Sequence, residues 1–445
     1  MITPELIQET EGRFTERQAV RHEREAKISS GAILEADSPD RVRKRVQHLA
    51  RMVIETEGVV PAIPGQTQGP GLVTLERIMG KSDLMSVRYL ELGLRIARTV
   101  GRIHVRKADG TIQGYGTGFR VSPRLLLTNN HVLTDAATAG ASRFEFDFQE
   151  GIDGKLESSI FVDFDPAAFF VTDKALDFSL VALKGDLRKV APYGWNGLSA
   201  AEGKIIVGEY VSIIQHPSGE RKQLALRENQ VVDVLDNYLH YRTDTSPGSS
   251  GSPVFNDQWE IVALHHSGVP RKDAQGRILA RDGQVYSSTM GENQIDWIAN
   301  EGVRISTILK HFQGLNLSES QATLRKQLLD CEAGWQAGTT TSRELAMNGL
   351  ETEAAGNHLT LPLQLTIDMS QGTVGVSAAG ASRAAGSRAP SAPAGAVMAG
   401  YPTSDIELKS PVMEALPPAR AASVAPESAV EWLVGGNNGA SPSWP

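Results

Sequence analysis

Only one of the 445 residues, Cys331, is a cysteine, so no disulfide can form within the chain and its stability must come from packing. That scarcity fits a reducing compartment. Residues 1–30 are polar and charged, without the basic, then apolar, then small-residue layout of a secretory signal, and a cytoplasmic location is the expectation. Long apolar runs are missing as well: none approaches the roughly 18 residues a membrane helix needs, so no membrane partner is expected. Basic residues are outnumbered, 44 Lys and Arg against 52 Asp and Glu for a net charge of -8, which argues against a nucleic-acid partner. The local basic run Arg41-Val42-Arg43-Lys44-Arg45 falls in an expected helix over 39–56 and reads as its solvated face. His240, His265 and His266 lack the His-Glu-x-x-His or cysteine-rich spacing of a metal site, so neither metal nor cofactor is expected.

What the chain does have is Ser246-Pro247-Gly248-Ser249-Ser250-Gly251-Ser252-Pro253-Val254, a serine among glycines on a turn leading into an apolar strand. Glycine on both sides lets the backbone expose the hydroxyl while neighbouring N–H groups converge on one point, as an oxyanion hole requires. A serine hydroxyl is a poor nucleophile alone and needs a base and a group to orient that base. His131 lies just past two apolar strands joined by Ser122-Pro123, where a lone histidine is by default structural or solvated. Asp177 opens the apolar run Phe178-Ser179-Leu180-Val181-Ala182-Leu183, either as a strand-start residue facing water or as a buried carboxylate whose partner is an imidazole N–H. The order His131, Asp177, Ser250 differs from Ser, Asp, His of the α/β-hydrolases and Asp, His, Ser of the subtilisins, and no Gly-x-Ser-x-Gly elbow surrounds Ser250. It is the chymotrypsin order, which implies a mainly β fold of two six-stranded antiparallel Greek-key barrels.

Residues of about 95–312, roughly half the chain, resemble a bacterial trypsin-like serine peptidase of the glutamyl-endopeptidase-like branch. The resemblance rests on Gly116-Thr117-Gly118-Phe119, Thr128-Asn129-Asn130-His131-Val132-Leu133, Leu176-Asp177-Phe178-Ser179-Leu180 and Pro247-Gly248-Ser249-Ser250-Gly251-Ser252-Pro253, in that order. It implies His131 as general base, Asp177 as its orienter, Ser250 as nucleophile, and the N–H groups of Gly248 and Ser250 as the oxyanion hole. For the substrate side it implies a pocket formed by Thr245 and His265 with Ser267 and Gly268 beside them, suited to Glu or Gln at P1. Asp244, counted back from Ser250, stands where trypsin selects Arg or Lys, so a basic P1 is the competing expectation. Ser249 replaces the aspartate of zymogen activation. The expected function is a serine endopeptidase acting on a protein or peptide substrate, in a regulated intracellular role; the rivals are a peptidase-fold binding module with an unused triad and an adaptor that recruits partners.

The barrels account for about half of the length, and the flanks need their own reading. Residues 1–81 are expected to form a helical arm and linker, with helices over 4–28 and 39–56 and a Pro/Gly-rich linker near 61–71. The arm suits a protein partner, a cover for the site, or plain solubilisation. Residues 82–316 form the peptidase domain, led by a helix over 82–98 that starts at Ser82 and carries Leu84, Val87, Leu90, Leu92 and Leu94 for docking. Residues 317–369 supply a further helix and a strand-like segment, and 370–445, rich in Ala, Gly, Ser and Pro, form a disordered tail.

Overall fold

A computed structural model describes residues 3–57, 85–226, 229–242, 248–330, 363–368 and 373–378. The chain divides into two units, Met1–Ser377 and Ala378–Pro445, and the architecture below belongs to the first. The arm begins with α1 (Pro4–Glu16), started by Thr3 capping the Leu6 N–H and by proline at the first position; α2 (Gln18–Ser29) follows a break at Arg17. A single helix over 4–28 was expected; non-helical torsions at Arg17 divide it in two. Next come α3 (Pro39–Glu57) and α4 (Arg88–Ala97).

The strands of the first sheet are β1 (Val100–Arg106), β2 (Ile112–Arg120), β3 (Leu125–Thr128), β4 (Arg143–Phe146), β5 (Ile160–Asp163), β6 (Phe170–Asp173) and β7 (Phe178–Ala182), with the short α5 (Ala136–Ala141) between β3 and β4. They run antiparallel in the order β5-β4-β1-β2-β3-β7-β6. The second sheet contains β8 (Ser212–Gln215), β9 (Gln223–Ala225), β10 (Val231–Val234), β11 (Tyr238–Tyr241), β12 (Pro253–Phe255), β13 (Ile261–Pro270) and β14 (Trp297–Arg304), ordered β10-β11-β14-β13-β12-β8-β9. This is the expected mainly β arrangement of two antiparallel sheets in sequence, with seven hydrogen-bonded strands in each sheet where six were expected. After β14 come α6 (Ile305–Gln313) and α7 (Glu319–Leu329), the latter opened by a Ser318/Gln321 capping box.

One apolar core joins the sheets. Phe119, Leu127 and Phe178 from the first meet Phe255, Leu264 and Val303 from the second, and α6 closes it with Ile308 and Phe312. This core fixes the spacing between the β3/β7 ends, which carry His131 and Asp177, and the turn before β12, which carries Ser250.

Three flank expectations change. The helix expected from Ser82 starts at Arg88, and its docking face is Tyr89, Leu92 and Ile96, whereas Val87, Leu90 and Leu94 face solvent; Ser82 and Leu84 lie outside the described residues. The strand-like segment is β15 (Leu363–Asp368), which pairs with β16 (Thr373–Ala378) in a separate two-stranded sheet. β16 lies in the stretch assigned by composition to the tail, where Val374 and Val376 supply local strand character; residues 379–445 are outside the described set. The arm, finally, is docked. Arg17 and Arg24 pair with the buried Asp233, Arg45 with the buried Glu209, and His48 with Glu260. The run read as a solvated basic face is therefore split, with Arg43 exposed and Arg45 among the most buried large side chains.

Candidate active site

The β2–β3 turn forms as the sequence implies, with Ser122 Oγ accepting from the N–H groups of Arg124 and Leu125. β3 ends at Thr128, and His131 follows on the turn beyond it. β7 pairs with β3 from Thr128↔Ser179 to Leu125↔Ala182, so the residue just before β7 arrives beside that turn. That residue is Asp177, and it is buried rather than facing water. Its φ of 43° is left-handed, a conformation aspartate tolerates better than most residues and one that structures retain where surrounding contacts over-determine it. Here the contacts are the Asn129 side-chain amide, which donates to the Asp177 carbonyl at 2.9 Å, and the His131 backbone N–H, which donates to Oδ1 at 3.0 Å.

His131 Nδ1–H donates to Asp177 Oδ2 at 2.8 Å. This contact sets the tautomer and leaves Nε2 as the basic nitrogen. Nε2 is buried without a hydrogen-bond partner, so the Ser250 hydroxyl does not bond to it. Burial opposes ionisation of Asp177, but His131 and His266 together hold its carboxyl well below the usual carboxylate range.

The serine turn is braced from the first sheet. Thr117 N–H donates to the Ser250 carbonyl and Thr117 Oγ1 to the Gly248 carbonyl, both at 2.8 Å, while Gly251 N–H donates to the His265 carbonyl at 2.9 Å. Gly248 (φ 96°) and Gly251 (φ 86°) are both left-handed. A Cβ at Gly251 would overlap the Thr117 carbonyl and the Thr128 hydroxyl, and one at Gly248 would lie 2.6 Å from the His216 carbonyl. Glycine is thus required twice by space as well as by torsion. His216 is that support; burial pushes its imidazole down to about 3 and Nδ1–H donates to the Glu220 carbonyl.

On the pocket side, Asp244 and Thr245 lie outside the described residues. His265, Ser267 and Gly268 all lie on β13. His265 is buried with Nδ1 2.8 Å from the Tyr241 hydroxyl, and burial, with His266 and His131 nearby, lowers its pKa to about 3. Ser267 Oγ is buried without a partner, and the Trp297 ring lies over the α-carbon of Gly268.

The sequence reading missed a second set of residues. His266, considered in the sequence only as a metal ligand, donates from Nδ1 to Asp177 Oδ2 at 3.3 Å and from Nε2 to Glu301 Oε1 at 2.9 Å. Burial opposes its charge, yet the two carboxylates raise it to about 9. A bulge between His265 and Ser267 in the β13–β14 register interrupts the strand alternation at this doublet. Glu301, a carboxylate inside the apolar-flanked β14, was the available signal: such a residue is almost never fully buried without partners. Among the described residues no cluster of His, Cys, Asp and Glu is arranged to hold a metal, and no helix is long and apolar enough to cross a membrane.

The chain is 38% identical over 258 residues to an uncharacterized protein, y4fB, of Sinorhizobium fredii, covering 54% of this chain and 39% of that protein. It is 30% identical over 198 residues to secreted RxLR effector protein 73 of Plasmopara viticola, covering 39% of this chain and 46% of that protein. The chain therefore spans less than half the length of these curated relatives. Among solved structures it is similar to the active form of the Rv3671c protease from M. tuberculosis, with TM-score 0.35, 14% identity, and 58% of this chain and 92% of that one covered. A Glu endopeptidase in complex with MPD gives TM-score 0.33 and 16% identity, covering 51% of this chain and 93% of that one. Residues 116–264, which hold His131, Asp177 and Ser250, match the trypsin-like peptidase domain.

Proposed function

We propose that the chain is a serine endopeptidase in which Ser250 is the nucleophile, His131 the general base and Asp177 the group that orients it. The observation that carries this reading is the buried 2.8 Å His131–Asp177 hydrogen bond, which leaves Nε2 as the nitrogen able to take a proton. Ser250 Oγ attacks the carbonyl carbon of the scissile peptide as its proton passes to His131 Nε2. The oxyanion that forms is met by the N–H groups of Gly248 and Ser250. The imidazolium then gives its proton to the amide nitrogen, the C–N bond breaks, and an acyl-enzyme on Ser250 remains. Water, deprotonated by the same nitrogen, attacks the ester and releases the acid product with Ser250 restored.

For the substrate we propose Glu or Gln at P1. A neutral His265 whose Nδ1 accepts from Tyr241 O–H carries its proton on Nε2, ready to donate to a carboxylate or carboxamide. Asp244 would favour Arg or Lys instead, and profiling a peptide library with wild type, His265→Ala and Asp244→Asn distinguishes the two. The triad assignment is tested by a fluorophosphonate probe. Labelling of wild type but not Ser250→Ala is expected, with turnover of that variant reduced by at least about a thousandfold. Absence of labelling in folded wild type would refute the enzyme reading and favour a binding module.

A further inference from the structure

Glu301 lies between the site and the N-terminal arm. Its side chain is fully buried, and five donor contacts converge on it. Thr10 Oγ1 donates to Oε1 at 3.0 Å; Arg13 Nη2 donates to Oε1 at 2.6 Å and its Nε to Oε2 at 2.9 Å; His240 Nε2–H donates to Oε2 at 2.8 Å; and His266 Nε2–H donates to Oε1 at 2.9 Å. The other nitrogen of His266 reaches Asp177 Oδ2, the same oxygen that receives His131 Nδ1–H. A continuous line of buried hydrogen bonds therefore runs from α1 through Glu301 and His266 to Asp177. A second route exists through stacking: the Arg13 guanidinium lies 4.1 Å from the Tyr238 ring centroid, and that ring stacks on His266 at 5.7 Å and 11°.

We propose that Arg13 and Thr10 are positioning residues for Asp177, acting through Glu301 and His266, so that the docked first helix is a working part of the site. The proposal rests on the serine-peptidase reading of His131, Asp177 and Ser250. The physical reason is the scarcity of alternatives for a buried carboxylate. Without α1, Glu301 keeps only two imidazole donors and loses its permanent cation, so it must take up a proton or draw the His266 imidazolium closer. A protonated Glu301 no longer stabilises that imidazolium, while a closer one pulls it away from Asp177, already the longer of its two contacts at 3.3 against 2.9 Å. In both cases Asp177 loses a donor, and the imidazole of His131 is held less firmly. Arginine is needed because its fork addresses both Glu301 oxygens; lysine keeps the charge and loses the second contact.

The test uses full-length Arg13→Met, Arg13→Lys and Thr10→Val, with Arg45→Met as a control that breaks a buried arm ion pair away from this line. Two quantities are read: kcat and KM on a peptide selected from a library, and the low-field proton resonance of His131 Nδ1–H in histidine-labelled protein. Arg13→Met should lower kcat by about tenfold, with KM changed less than about twofold, and should broaden or abolish the resonance. Arg13→Lys and Thr10→Val should fall between it and wild type, and Arg45→Met should keep both the kcat and the resonance of wild type. A folded Arg13→Met with wild-type kcat and resonance overturns the proposal, as does an equal loss in Arg45→Met, which would mean general loosening. Should Arg13→Met not fold, graded losses in Arg13→Lys and Thr10→Val support the proposal and wild-type behaviour of both overturns it. Because the resonance reads His131 without turnover, an inactive wild type would defeat the peptidase reading while the resonance still decided the role of the arm.

Discussion

Replacing Asp177 by asparagine changes one atom of the carboxylate and leaves its volume, so its effect isolates hydrogen-bond polarity. Asp177 accepts three contacts: the His131 backbone N–H on Oδ1 at 3.0 Å, and the Nδ1–H groups of His131 and His266 on Oδ2 at 2.8 and 3.3 Å. An asparagine has a single acceptor oxygen. With that oxygen kept on the backbone N–H, the amide NH2 faces two imidazole N–H groups, and donor meets donor twice. His131 relieves its side by moving its proton to Nε2, which removes the lone pair that should deprotonate Ser250. In the Ser-His-Asp template this wrong-tautomer effect reduces kcat by about 10^4, or about 5 kcal/mol of barrier. His266 loses one of the two carboxylates that hold its charge, so the loss here should be no smaller. The assay is steady-state hydrolysis of a library-selected peptide by Asp177→Asn, with thermal melting to confirm the fold. A folded variant within about tenfold of wild-type kcat would refute the reasoning, because Asp177 would then not be setting the tautomer.

Stability should fall on acidification before the carboxylates titrate. His216 and His265 have folded pKa values lowered to about 3, chiefly by burial, against about 6.5 unfolded, so below pH 6.5 the unfolded chain binds protons that the folded chain refuses. Between pH 7 and 5 each should remove about 2 kcal/mol, measurable by urea unfolding, and His216→Asn should flatten the dependence; an unchanged slope would contradict the assignment. Arg45→Met leaves Glu209 buried without its arginine, which donates to Oε1 from Nε at 3.0 Å and Nη2 at 2.9 Å. A cost of about 3–5 kcal/mol is expected in denaturant unfolding, with partial recovery in the Arg45→Met, Glu209→Gln double variant. Library profiling should show His265→Ala reducing cleavage after Glu and Gln; a preference for Arg or Lys, lost in Asp244→Asn, would transfer specificity to Asp244.

The sequence alone determined the mainly β fold and marked His131, Asp177 and Ser250 as candidates, because the signals that mark them are local; their spacing is set by the core between the two sheets. Glycines at 248 and 251 declare a turn whose torsions few other residues adopt, whereas the aspartate ahead of an apolar strand left a water-facing and a buried reading open, and the structure shows it buried. The start of α4 and the break at Arg17 were less visible, since solvent-facing Val87, Leu90 and Leu94 imitate a docking face and the arm has no proline or glycine at its break. The positions of Thr10 and Arg13 were decided by tertiary structure alone. Their partner Glu301 lies nearly three hundred residues away in the chain, and a charge pair that distant leaves no period or spacing to read. Burial makes the pairing obligatory: a carboxylate enclosed in β14 must gather donors from whatever packs against it, and only the docked fold shows that two of them come from the first helix.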